Sequence, residues 1–184
     1  MKTIKLFENY IEEGIVKRVT INRNRARSLL IESERKMLSL KEMLKKLGIK
    51  NENANDYIVY CYDIVMYLVR AQLCLKGYKA SGLGAHEAEV SYARILGFTE
   101  KDVGFTDQMR YFRNGILYYG TSLDAEYAEK VVEFTKKMYP RLKEVIKKDC
   151  SMLSIPPSST RLINNQGIPH QRTHHSNQKV SIQS

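Results

Sequence analysis

The segment RYFRNGILYYG, residues 110–120, concentrates the side chains best suited to chemistry. At about 100° per residue on a helix, Asn114 and Tyr118 fall on one side, with Tyr111 close by and Arg110 and Arg113 flanking them. A guanidinium, an amide and a phenol gathered in this way can hold a phosphate or a base edge. The same residues would also serve as a polar helix face or a dimer seam. His86, next to Glu87, is the one imidazole in the expected folded body. Acid–base chemistry near neutral pH that needs a histidine therefore rests on it, although an exposed first-turn pair is the plainer role. Asp63 and Arg70 are the charges inside an otherwise apolar stretch. Seven residues apart on a helix, they share a face about 10 Å apart. Each finds a partner within its own chain, or an antiparallel two-fold interface pairs Asp63 of one copy with Arg70 of the other.

Other constellations carry less. Gly82-x-Gly84 lacks the third glycine and the preceding strand of a dinucleotide fingerprint. His170, His174 and His175 lie in a polar tail with no carboxylate or thiol beside them, so neither a metal site nor a cofactor is expected. Cys61, Cys74 and Cys150 are scattered thiols without a C-x-x-C pair. They fit a reducing, cytoplasmic setting better than a disulfide framework. The first residues, MKTIKLFENYIEEG, show no apolar secretory core, and no run of 18 apolar residues marks a membrane span.

Charge is unevenly spread along the 184 residues. The net +10 divides into +7 over residues 1–50, zero over 51–149 and +3 over 150–184. Lys17, Arg18, Arg23, Arg25 and Arg27 lie between Glu13 and Glu32 with no acid among them. Such a run attracts a polyphosphate such as RNA, or else it is a solvated face. No aromatic residue interleaves it, so base stacking is not expected there.

The elements that must position these residues read as helices. Residues 3–13 form a short one through Ile4, Phe7 and Ile11, ended by Gly14, and VKRVTINRNR is expected as a loop. Helical periodicity then runs over about 24–47 and, nearly apolar all round, over about 54–76. GYKASGLGA is a glycine-rich connection, and a helix over about 85–96 ends at Gly97. Thr99 with Asp102 has capping-box spacing, and so has Thr121 with Asp124. Between them Phe105, Met109, Phe112, Ile116 and Tyr119 make one inward stripe. The last helix, about 123–148, turns Tyr127, Val131, Phe134, Met138, Leu142 and Val145 inward, and Pro140 should kink or restart it. From residue 150 on, proline, serine, asparagine and glutamine predominate, so 150–184 is expected to be disordered. The chain is thus all-α, a bundle of five to six helices over 1–149 followed by a tail.

The long apolar helix YIVYCYDIVMYLVRAQLCLKGYKASGLGAHEAEVSYARILGF followed by DQMRYFRNGILYYG resembles a HEPN domain (higher eukaryotes and prokaryotes nucleotide-binding), most of all the small HEPN proteins common in archaea. The resemblance covers roughly residues 15–147. It implies a helical bundle that dimerises. It also implies one of two activities: metal-independent cleavage of RNA by an Arg-x4–6-His motif, or a toxin role beside a small nucleotidyltransferase antitoxin. Arg113 matches the motif arginine and Asn114 the polar residue after it. The histidine would fall at 118, 119 or 120, where this chain has Tyr118, Tyr119 and Gly120.

That departure weakens the nuclease expectation, because a phenol with a pKa near 10 is a poor base at pH 7. Three readings follow. The first is a dimer that binds RNA or a nucleotide through Arg113, Asn114 and Tyr118, helped by the basic run. The second is a slow ribonuclease in which Arg113 stabilises the phosphorane and Tyr118 or His86 moves the proton. The third is a structural dimer whose polar motif builds the interface.

Overall fold

The computed structural model describes the backbone of residues 3–152 and the side chains of residues 3–149. Among these are six α-helices and two short strands: α1 (Phe7–Glu12), β1 (Val16–Arg18), α2 (Arg23–Lys46), α3 (Ala54–Lys76), β2 (Tyr78–Ala80), α4 (Ala85–Ser91), α5 (Glu100–Tyr119) and α6 (Ala125–Met152). The bundle is all-α apart from that ladder, as expected. α6 continues three residues beyond the expected start of the tail; the rest of the tail, with His170, His174 and His175, lies outside the described residues.

α3 is the axis. Its apolar residues leave almost no polar face, so it can be stable only when surrounded. α2 and α6 pack along it, and α4 and α5 cover a further side. Tyr57, Ile58, Ile64, Met66 and Leu68 are fully buried there. The stretch 51–76 has the length and hydropathy of a membrane span, and most of it is enclosed by its own bundle. The buried Ser33 hydroxyl of α2 donates to the Ile64 carbonyl at 3.0 Å, pinning α2 to the middle of α3. Burial pushes the Cys61 thiol up to about 12, which leaves it inert toward nucleophilic chemistry at neutral pH.

The expected loop over VKRVTINRNR contains a strand instead. Val16, Lys17 and Arg18 pair antiparallel with Ala80, Lys79 and Tyr78. The junction is tight: the Val19 amide donates to the Gly77 carbonyl at 2.9 Å, and the Asn22 amide to the Cys74 carbonyl at 3.1 Å. Gly77 caps α3 at φ +68°, and a Cβ there would sit 2.6 Å from the Val19 oxygen, so only glycine fits.

In α1 the buried residues are Phe7 and Tyr10, and Ile11 is 36% exposed. The helix expected over 85–96 ends at Ser91 and tightens into a 3₁₀ turn over Tyr92–Arg94. α6 runs unbroken through Pro140, so of the expected kink or restart the restart does not occur, and among the described side chains Ile146 rather than Val145 is its last buried residue. Asp124, not Thr121, caps α6, accepting from the Tyr127 amide at 2.8 Å.

The start of α5 bears out the capping box. The Asp102 amide donates to the Thr99 hydroxyl at 3.2 Å, and the Thr99 amide and hydroxyl donate back to the Asp102 carboxylate at 3.2 and 2.8 Å. Burial works to raise the Asp102 pKa, but the Thr99 hydrogen bonds and Lys137 outweigh it and hold the carboxyl below its ordinary 3.8. A depressed carboxyl stabilises the fold fully above its unfolded value and loses that contribution as pH falls through the folded one. Asp102→Asn should therefore cost about 1 kcal/mol at pH 7. In urea melts the gap between variant and wild type should close as pH falls below 3.8.

Candidate functional site

α5 reaches the site because its inner line, through Thr106 and Met109, lies against α3. Its far end is tied down separately. Asn55, at the start of α3, donates to the Thr121 carbonyl at 2.9 Å and accepts from the Leu123 amide at 3.1 Å. Asn51 accepts from the Ala125 amide at 2.8 Å. On the outer flank, Phe105 and Phe112 pack on Tyr127 and Phe134 of α6, with centroids 4.7–6.2 Å apart. The expected stripe holds through Ile116 and fails at Tyr119, which is 84% exposed. The last turn of α5 projects beyond the core.

Three arginines approach the α3–α4–α5 junction, and their commitments differ. Arg70 of α3 is gripped by Glu89 of α4, with its Nε 3.0 Å from both carboxylate oxygens and its Nη2 2.8 Å from Oε2. His86 sits on the same pair, its Nδ1 3.0 Å from Arg70 Nη2 and 3.2 Å from Glu89 Oε2. Arg110 donates to Asp107 at 2.7 Å and to Glu87 at 3.2 Å. Among the described residues Arg113 has no carboxylate partner. Its Nη1 reaches the neighbouring Asn114 amide oxygen at 3.4 Å, and its Nε is buried without a hydrogen-bond partner. Its guanidinium carbon lies 5.9 Å from the ring centroid of Tyr62 on α3. The Tyr62 hydroxyl is likewise buried and unpartnered. Burial pushes that phenol up to about 12, against the pull of Arg70, Arg110 and Arg113, so it stays a neutral donor.

The structure thus brings Arg113, with its neighbour Asn114, to Tyr62, and sets Arg70 and Glu89 near the same phenol, with His86 held on that Arg70–Glu89 pair. Tyr118 is 71% exposed on the projecting turn, and no hydrogen bond joins it to Arg113. Nor does any join His86 to Arg113 among the described residues. Arg110 instead forms part of a cavity of about 260 Å³ bounded by Ile4, Tyr10, Glu87, Asp107 and Tyr111. Its two carboxylates offset the two cations that line it, Arg110 and Lys5, so no net positive charge is left to hold a phosphate.

Asp63 and Arg70 both find partners within the chain: Lys36 lies 3.4 Å from Asp63, and Glu89 holds Arg70. Neither needs a second copy for neutralisation. Lys17 and Arg18 lie on β1, and Arg23, Arg25 and Arg27 on the first turns of α2. All five are exposed. They gather at the end of α3 away from Gly120, since Asn22 meets Cys74 while Asn55 meets Thr121. Among the described residues no group of His, Cys, Asp and Glu could hold a metal ion.

Sequence reasoning passed over Tyr62 and Glu89, and with them Lys79 opposite Lys17. Tyr62 carries no distinguishing sequence signal, being one of four tyrosines in α3. No protein-family model, curated protein or solved structure matches this chain.

Proposed function

We propose that this chain is a HEPN-like homodimer that binds RNA or a nucleotide through Arg113, Asn114 and Tyr118. The carrying observation is the state of Arg113: a half-buried guanidinium with an unpartnered Nε, beside an unpartnered Tyr62 hydroxyl, while Arg70 and Arg110 are engaged by carboxylates. Leaving such donors unpaired is costly, and a guanidinium not engaged by a carboxylate can pair with a phosphate. Tyr111, Tyr118 and Tyr119, exposed on and near the projecting turn, supply surfaces for base stacking or for a second copy. The half-exposed strip of Tyr60 and Tyr67 along α3 adds to the second use. A small nucleotidyltransferase remains the partner that the family resemblance supplies.

Binding is favoured over cleavage by the lack of a base. Tyr118 stands where the motif histidine would fall, and His86 is occupied by Arg70 and Glu89. Full-length protein incubated with end-labelled structured RNA in excess EDTA should retain the RNA uncut. Cleavage abolished by Arg113→Ala, with the variant still folded by circular dichroism, would transfer the site to the ribonuclease reading.

A further inference from the structure

We infer that the outer face of the β1–β2 ladder and the first turns of α2 form a second grip on the phosphate backbone, so the ligand is an RNA oligomer rather than a free nucleotide. The inference rests on the RNA reading of Arg113 and narrows it.

Two local arrangements are unfavourable without an anion. Lys17 stands directly across the ladder from Lys79, both exposed. Like charges directly opposed on neighbouring strands repel. Arg23 and Arg25 occupy the first turn of α2, with Arg27 following, and no acid lies in that turn. Cations there oppose the helix dipole. Among the described residues none of these side chains, nor Arg18, forms an ion pair with a carboxylate. Arg18 is instead stacked on Tyr78, 4.3 Å from the ring centroid, which holds its guanidinium at the ladder. The backbone bonds of Val19 and Asn22 to the end of α3 lock strand and helix into one surface. A polyanion relieves both repulsions at once and releases counterions from the patch.

α4 packs on both β2 and α5 and so fixes the patch relative to the Arg113 site. Tyr62, beside Arg113, and Lys76, at the ladder, are fourteen residues apart on α3, or about 20 Å. An oligonucleotide spans that separation and a mononucleotide does not.

The test is a salt titration of the full chain with a fluorescein-labelled oligouridylate of about twenty nucleotides, in EDTA, from about 50 to about 200 mM NaCl. Lys17→Gln with Lys79→Gln should weaken binding about tenfold at the low-salt end and flatten the log–log salt slope by about 1.4, which is about 0.7 for each single-strand phosphate no longer neutralised. Both residues are exposed, and circular dichroism checks that the fold is kept. An unchanged slope and affinity in this variant, with Arg113→Ala still impaired, overturns the second grip and leaves the Arg113 reading standing. The reverse pattern supports the grip and sinks the Arg113 reading. Absence of wild-type binding sinks both. Tighter wild-type binding to phosphatidylserine vesicles than to the oligonucleotide overturns the assignment to RNA.

Discussion

Arg113→Ala should weaken RNA binding by about tenfold to a hundredfold while leaving thermal stability unchanged or slightly raised. A hydrogen bond to a charged group is worth about 1.5–3 kcal/mol, and 1.4 kcal/mol is tenfold in affinity. The fold gains little from this side chain. Its hydrogen bond is a 3.4 Å contact to the adjacent Asn114, and its buried Nε has no partner. Removing an unsatisfied buried donor removes a cost. Arg113→Lys should recover only part of the affinity, because an ammonium cannot present the planar fork that fits two phosphate oxygens. Fluorescence anisotropy and a thermal melt on the same preparations check both halves of the expectation.

Arg110→Ala should behave in the opposite way. Arg110 neutralises Asp107, whose side chain is 7% exposed, and also reaches Glu87. Without it Asp107 is left as a buried, unpaired carboxylate in contact with the core of the bundle. Breaking one side of a buried ion pair costs about 3–5 kcal/mol; because the Arg110 side chain is 17% exposed, about 2–3 kcal/mol is expected here. For a domain of this size the melting temperature should fall by roughly 5–10 °C. Asp107→Asn in the Arg110→Ala background should restore most of the loss, since it removes the stranded charge. RNA affinity, measured below the melting transition, should change much less than for Arg113→Ala. Two arginines three residues apart on one helix are thereby assigned to different work, one to ligand and one to fold.

The sequence shows the helices where local signals are strong. The α3 limits match expectation because its apolar run is long and Gly77 closes it in the left-handed conformation. The α5 start is legible because Thr99 and Asp102 are three residues apart and cap reciprocally. The β1–β2 ladder is not legible in this way. Each strand is three residues long, and their pairing joins segments separated by two long helices. Tyr119 misleads because helical periodicity continues past the point where the neighbouring helices stop. At the site, Arg113 and Asn114 stand out as neighbours on a short polar segment. Tyr62 does not, since its meeting with Arg113 is created by the packing of α5 on α3. The commitment of Arg70 is tertiary too, set by Glu89 on a seven-residue helix, whereas that of Arg110 is mainly local, to Asp107 three residues before it, with Glu87 added by packing. Composition alone makes all three guanidiniums look alike.

The most direct measurement of the central claim is an equilibrium titration of labelled RNA with wild-type, Arg113→Ala and Arg110→Ala proteins, in EDTA and at one fixed salt concentration. Gel filtration with light scattering on the same samples reports their oligomeric state. The expected result is saturable binding by a wild-type dimer, loss of at least tenfold in affinity for folded, dimeric Arg113→Ala, and near wild-type affinity for Arg110→Ala. Equal affinities for wild type and Arg113→Ala would contradict the account, as would a wild-type protein that does not bind RNA.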